Sequence, residues 1–207
     1  MKTRRTASST DITSSIWTND MRTYEETLKS LRAKIPDNQY IRVMYQPYCE
    51  LSPDFLGFIQ QYEIVSEMLP KDWKVIDLGC NAAAQCFFFS DHAGYTGVDI
   101  LADREADPEE IMNGRIESTL RFKGKNTSHY EADIKNFIDE HAELFREEKT
   151  LALCIHVPDA EAAEAACGKL ENLIIYDPEK PVCFNSGTDR EIISGIADQL
   201  ETLRKTV

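Results

Sequence analysis

The sequence predicts an α/β fold in which a doubly wound, mostly parallel sheet of five to six strands carries an N-terminal helical extension. From residue 74 onward, apolar segments typical of buried strands alternate with segments of helical periodicity. Gly79 directly follows the first apolar segment, where a strand must turn sharply into the next element. Asp99 ends the second apolar segment, 20 positions beyond that glycine. Together these observations favour a parallel sheet with helices on both faces.

The alternation gives an expected element order. Strands are predicted near 74–78, 95–99, 128–131, 150–156 and 173–177, and helices near 82–91, 108–120, 134–146, 159–170 and 188–206. Residues 182–184 either add a short sixth strand or leave the sheet truncated at five. A truncated sheet exposes an unpaired edge, so we expect a homodimer through that edge as one way of covering it.

The N-terminal third differs in composition from the rest. Residues 1–20 are polar and rich in Ser and Thr, which predicts a disordered tail. Residues 21–70 predict a helical cap, because apolar residues recur at helical spacing and Ser52 with Pro53 makes a good helix start. Residues 71–207 then form the sheet domain, whose last helix begins with a capping box of Thr188 and Glu191.

Composition limits the classes of function. The chain has 207 residues, 42% of them hydrophobic, a formal net charge of −13 and an isoelectric point near 4.8. This acidity argues against non-specific binding to nucleic-acid backbone, and the basic residues between 115 and 125 are read as a solvated loop. No apolar segment is long enough to span a membrane. The six cysteines show no metal-ligand spacing and are expected to be reduced, in a cytoplasmic protein without a bound metal.

The glycine turn and the later carboxylate carry the functional prediction. A glycine lets the backbone approach a ligand, and a carboxylate about 20 residues later accepts the ribose hydroxyls of an adenosine cofactor. The chain resembles the class I S-adenosylmethionine-dependent methyltransferases, and Asp77, Gly79 and Asp99 fit that family. The first motif of the family is an acidic residue followed by x-Gly-x-Gly-x-Gly, where x is any residue. The resemblance covers roughly residues 60–180. The chain departs from the motif at its second and third glycines, which are Asn81 and Ala83.

The resemblance implies S-adenosylmethionine as cofactor, bound beyond the carboxyl ends of the strands in a Rossmann-like domain. It implies these cofactor contacts: Asp77, Gly79, Cys80, Asn81, Asp99, Ile100, Asp133 and Ile134. The first four would line the methionine portion. Asp99 would hold the ribose and Ile100 would contact the adenine, while Asp133 would accept from the adenine amino group and Ile134 would cover the ring.

His156 is the candidate general base, because it follows the fourth predicted strand and histidine titrates in the useful range. The Asp/Asn-Pro-Pro-aromatic signature of certain amine methylators is absent at this point. Structural roles compete with these assignments. Asp77 could brace the turn, Asp133 could cap the following helix, and His156 could be a hydrogen-bonded histidine at a strand end.

Three functions therefore remain open. The first is a methyltransferase acting on an unknown acceptor. The second is a methyltransferase-like binding or scaffold protein whose cofactor site has decayed. The third is an NAD-dependent oxidoreductase, because residues 79–84 also align with G-x-G-x-x-G/A. That alignment lacks the central glycine that admits a pyrophosphate, whereas S-adenosylmethionine has no pyrophosphate to accommodate.

Overall fold

The structure, a computed structural model, describes Lys29, Ala33 and residues 53–100, 126–155, 160–187 and 189–205. Strands are β1 (Lys74–Leu78), β2 (Gly94–Asp99), β3 (Thr127–Glu131), β4 (Thr150–Ile155), β5 (Leu173–Asp177) and β6 (Lys180–Asn185). Helices are α1 (Pro53–Met68), α2 (Ile134–Glu140), α3 (Ala160–Lys169) and α4 (Arg190–Arg204). Short 3-10 turns lie at Ala84–Phe87 and Leu144–Arg146.

The strands form one six-stranded sheet in the order β3-β2-β1-β4-β5-β6. The first five strands pair in parallel, and β6 pairs antiparallel with β5. The prediction of a doubly wound α/β sheet is therefore confirmed, and the alternative with a sixth strand is the one observed. Strand order reverses between β1 and β4, so the crevice that binds ligands in such folds is expected at their carboxyl ends.

Apolar side chains fill both faces of the sheet. On one face, Ile59, Tyr62 and Val65 of α1 share a buried cluster with residues 86–89 and with Ile193 and Ile196 of α4. On the other face, helices α2 and α3 cover a second cluster. Helix α1 is therefore part of the core of the sheet, while the proposed boundary at residue 70 remains a prediction.

Strand β6 is held in place by helix α4. The side chains of Val182 and Phe184 pack against the hydrophobic cluster on the α1 side of the sheet. The Val182 backbone N–H donates to Glu201 Oε2 over 3.0 Å, and Glu201 also receives two hydrogen bonds from Arg204. These hydrogen bonds attach strand β6 to helix α4.

Two predicted helices differ from the structure. The helix expected at 82–91 is instead a four-residue 3-10 turn, because Ala83 adopts a positive φ that no α-helix contains. The helix expected at 134–146 ends at Glu140, and a separate 3-10 turn follows at Leu144–Arg146.

Several predictions lie outside the described residues. They are the tail at 1–20, the helical spacing at 21–35 apart from two residues, the helix at 108–120, His156 and the capping residue Thr188. Asp189 occupies the N-cap position of α4, with no side-chain capping hydrogen bond. Within the described residues, no helix combines the length and apolar character needed to cross a bilayer.

Candidate functional site

The turn after β1 is built from alternating residues with positive φ. Gly79 has φ 85°, Asn81 has φ 52° and Ala83 has φ 56°. These are the positions of the three glycines in the methyltransferase motif. The left-handed conformation costs an L-residue other than glycine roughly 1–2 kcal/mol, and Asn tolerates it better than Ala does. The backbone therefore keeps a glycine-like path although two of the three glycines are absent.

Hydrogen bonds fasten this turn to β2. The N–H groups of Gly79 and Cys80 both donate to the Val98 carbonyl, over 2.7 and 3.2 Å. The Asn81 N–H donates to Asp99 Oδ2 over 2.8 Å. The Asp99 carboxyl is thereby placed directly over the turn at the end of β2, and its side chain stays partly exposed.

The turn packs closely against β2 because the strand has a glycine, Gly97, at the point of contact. A Cβ on Gly97 would lie 2.5 Å from Cys80 Sγ and 3.0 Å from the Ala83 Cβ. Both distances are shorter than side chains tolerate without displacement. Cys80 itself is fully buried, and burial raises the pKa of its thiol well above the usual range. Its predicted role beside the methionine portion remains a prediction.

Replacing Ala83 by glycine is expected to leave the protein as stable as before or up to about 1 kcal/mol more stable. Glycine relieves the positive φ, and this gain offsets the flexibility of glycine in the unfolded chain and the lost buried methyl group. Ala82 is equally buried and has no positive φ, so Ala82→Gly should cost about 1 kcal/mol. Urea unfolding of both variants measures the difference, and equal losses would contradict the strain argument.

Asp77 lies beneath the turn and is fully buried. Tyr95 donates to its Oδ2 over 2.6 Å, and Tyr62 of α1 donates to its Oδ1 over 3.2 Å. Burial raises the pKa of this carboxyl to about 7, and the two tyrosine hydroxyls only partly oppose that shift. In this structure Asp77 thus joins α1, β1 and β2. Contact with a cofactor remains a prediction for it.

Ile100 follows Asp99 and is 55% exposed, which is unusual for a large aliphatic side chain. An apolar surface next to the Asp99 carboxyl is what an adenosine would need, with the ribose at the acid and the adenine on the aliphatic group. Gly79 is half-buried and Asn81 is exposed on the same turn. These residues form an accessible surface at the carboxyl ends of β1 and β2.

Asp133 and Ile134 have structural partners. Asp133 is the N-cap of α2, and its Oδ1 accepts from the Asn136 N–H over 2.9 Å. Ile134 is 8% exposed and packs in the cluster under α2 and α3. The helix-cap alternative for Asp133 is therefore observed, and the adenine contacts of both residues remain predictions.

His129 was missed by the sequence analysis. It lies on β3 opposite Gly97, and its Nε2–H donates to the Asn81 carbonyl over 3.1 Å. Burial lowers the pKa of its imidazole, and the hydrogen bond to the Asn81 carbonyl and the nearby Asp99 and Glu131 carboxylates oppose this shift only in part. His129 lies beside Gly97 because β2 and β3 pair in this particular register. The register between β2 and β3, however, cannot be read from spacing.

Histidine, cysteine and carboxylate side chains do not converge on a metal site within the described ranges, where no group of three or more could hold an ion. His156, the predicted general base, lies outside the described residues. The described site thus consists of the turn at 79–83, the exposed end of β2 and His129 of β3.

No protein-family model and no curated protein matches the sequence. A search of solved structures finds an rRNA methylase from Streptococcus thermophilus at 16% identity and TM-score 0.40, covering 57% of this chain and 70% of that one. A methyltransferase from Thiobacillus denitrificans, solved with S-adenosyl-L-homocysteine, is 13% identical at TM-score 0.42, over 66% of this chain and 52% of its own.

The N-methyltransferase NodS from Bradyrhizobium japonicum, also with S-adenosyl-L-homocysteine, is 15% identical at TM-score 0.41, with 84% and 85% of the two chains covered. The match thus spans about half of the Thiobacillus protein and most of NodS. All three proteins are methyltransferases by name, the class that the sequence resembles. At these identities and TM-scores they assign no activity, so the function of this chain must be argued from its own residues.

Proposed function

We propose that this chain binds S-adenosylmethionine at the carboxyl ends of β1 and β2 and transfers its methyl group to an acceptor of unassigned class. The observation that carries the proposal is the turn at 79–83. Its backbone keeps positive φ at all three motif glycine positions, and it is bonded to Asp99 through the Asn81 N–H. A glycine-like backbone path that persists although two of the three glycines are absent supports a retained cofactor turn.

The residues present suit this cofactor. Asp99 is a partly exposed acceptor for ribose hydroxyls, and Ile100 offers an exposed apolar surface for the adenine. S-adenosylmethionine carries a positive sulfonium, which the carboxylates of Asp99 and Glu131 would attract. When bound, the cofactor supplies a methyl group already activated for in-line displacement, so the protein's main task is positioning. His156 remains the predicted acceptor of a proton from the nucleophile.

The same geometry disfavours a dinucleotide. A pyrophosphate needs free backbone N–H groups at the second glycine and the N-terminus of an α-helix. Here the Asn81 N–H already donates to Asp99. The turn leads into a four-residue 3-10 segment, which presents little helix dipole. The turn therefore offers neither of these two elements to the phosphates of NAD.

A decayed scaffold makes a different prediction about Asp99. A neighbouring side chain filling the ribose position would favour decay. Asp99 stays partly exposed at the end of β2, which favours a working site.

Calorimetric titration with S-adenosylmethionine and S-adenosylhomocysteine tests the proposal. We expect micromolar binding, weakened about 10- to 100-fold by Asp99→Ala, because hydrogen bonds to a charged group contribute roughly 1.5–3 kcal/mol. Asp99 also accepts the Asn81 N–H, so Ile100→Asp provides a second variant, at a position whose side chain is 55% exposed. It should weaken binding about tenfold by placing a charge against the adenine.

Asp139→Ala is the matched control, since this exposed carboxyl in the last turn of α2 pairs with Lys169 of α3, and its loss should leave binding unchanged. Absence of binding to either compound by the wild-type chain would overturn the proposal. Titration with NAD would then decide between the oxidoreductase and the scaffold.

A further inference from the structure

Two thiols meet at the edge of the sheet, away from the site described above. Cys167 Sγ of α3 and Cys183 Sγ of β6 lie 3.4 Å apart. Cys183 is opposite Ile175 in the antiparallel register, and Ile175 and Cys167 both lean on the cluster under α2 and α3. The two side chains therefore enter the same space between helix and strand. A disulfide bond is about 2.05 Å long, so the sulfurs need to approach by only about 1.3 Å.

The surrounding contacts hold the two segments together. Asn185 Nδ2 donates to the carbonyls of Cys167 and Leu170, over 2.7 and 3.1 Å. Just beyond β6, the Gly187 N–H donates to Asn172 Oδ1 over 2.9 Å. These bonds fix the end of the edge strand against the end of α3. The approach of the sulfurs is thus set by the fold rather than by chance encounter.

The two thiols differ in accessibility. Cys183 is exposed, whereas Cys167 is half-buried. Burial, together with its thiol neighbour, raises the pKa of Cys167 to about 11, so little of it is thiolate at neutral pH. Both cysteines are free thiols in the structure, as are the buried Cys80, Cys86 and Cys154. Cys183 is the member of the pair that an oxidant in solution reaches first.

We infer that Cys167 and Cys183 form a reversible disulfide on exposure to hydrogen peroxide, which links the edge strand β6 covalently to helix α3. The Cys183 thiolate attacks the peroxide, giving a sulfenic acid and hydroxide. The Cys167 sulfur then attacks the Cys183 sulfur and displaces its oxygen as water. Overall, two thiols lose two protons and two electrons, and one hydrogen peroxide is reduced to two waters. This reaction is independent of the proposed methyl transfer.

The test uses the full chain, reduced and then treated with hydrogen peroxide. Intact mass should fall by two hydrogen atoms, and peptide mapping should find one cross-link joining Cys167 to Cys183 that dithiothreitol reverses. The bond closes a loop across 16 positions, so the oxidised protein should melt roughly 5–10 °C higher. Unchanged melting of the cross-linked protein would overturn the staple.

Single variants separate the steps. Cys167→Ser should leave Cys183 as a sulfenic acid that dimedone traps, and Cys183→Ser should abolish the cross-link. Cys86→Ala, in the cluster on the opposite face, should cross-link as the wild type does. A cross-link that persists in Cys183→Ser would overturn the inference. So would oxidation of Cys183 beyond the sulfenic acid while Cys167 remains a free thiol in the wild type.

Discussion

Replacing Asp77 by asparagine should make the protein more stable at pH 8 and remove part of its pH dependence. Asp77 has a pKa of about 7 in the fold against an ordinary value of 3.8, so the folded state holds a proton that the unfolded state releases. The protonated carboxyl therefore favours folding fully below pH 3.8, and this contribution is lost as pH rises to about 7. The whole loss amounts to about 4 kcal/mol. About half of it falls above pH 5.5.

The asparagine variant mimics the neutral carboxyl in size and can keep both tyrosine contacts. We expect its free energy of unfolding to exceed that of the wild type by about 1–4 kcal/mol at pH 8, with the difference shrinking towards pH 5.5. Urea unfolding followed by the fluorescence of the buried Trp73 measures this. Measurements start at pH 5.5 because the isoelectric point is near 4.8, where the protein is least soluble.

Tyr95→Phe serves as the companion variant. The variant removes the shorter of the two hydrogen bonds to Asp77, and that bond favours the ionised carboxyl. Its loss should raise the pKa of Asp77, so the pH dependence of stability should extend to higher pH. Curves for wild type and Asp77→Asn that run parallel from pH 5.5 to 8.5 would show that Asp77 is ionised in the fold. The explanation from burial would then be wrong.

A single methyl group on Gly97 should destabilise the protein by about 1–3 kcal/mol, the usual cost of overpacking a filled core. The new Cβ would lie 2.5 Å from Cys80 Sγ and 3.0 Å from the Ala83 Cβ. Both neighbours are fully buried on a turn bonded to β2, so neither can move away without breaking those hydrogen bonds.

Gly94 on the same strand gives a matched control. A Cβ there would meet only ordinary contacts, at 3.6 Å and 3.7 Å, so Gly94→Ala should be nearly neutral. Removing the sulfur with Cys80→Ala should recover part of the loss caused by Gly97→Ala, which a double-mutant cycle would measure as a coupling energy. Additive effects of the two substitutions, or equal losses at Gly94 and Gly97, would contradict the close approach.

Elements with local signals in the sequence were predicted well, and contacts that depend on distant residues were not. Strand–helix alternation predicted the strands within a residue or so. For β1, β4 and β5 the signal is a largely apolar run, which is typical of buried parallel strands. The helix predicted after β1 was wrong for a nonlocal reason. Ala82–Ala84 has high helix propensity, but bonds from β2 hold the turn in a path with positive φ.

Sequence spacing alone determined the fold class, the glycine turn and the acidic residue that ends β2. These depend on periodicity and on distances along the chain, which any reader of the sequence can count. Only the tertiary structure decided that Tyr62 and Tyr95 bury Asp77, that His129 reaches the Asn81 carbonyl, and that Cys167 meets Cys183. Those contacts depend on strand register and helix placement, which are set by the packing of the whole core and leave no periodic trace in the sequence.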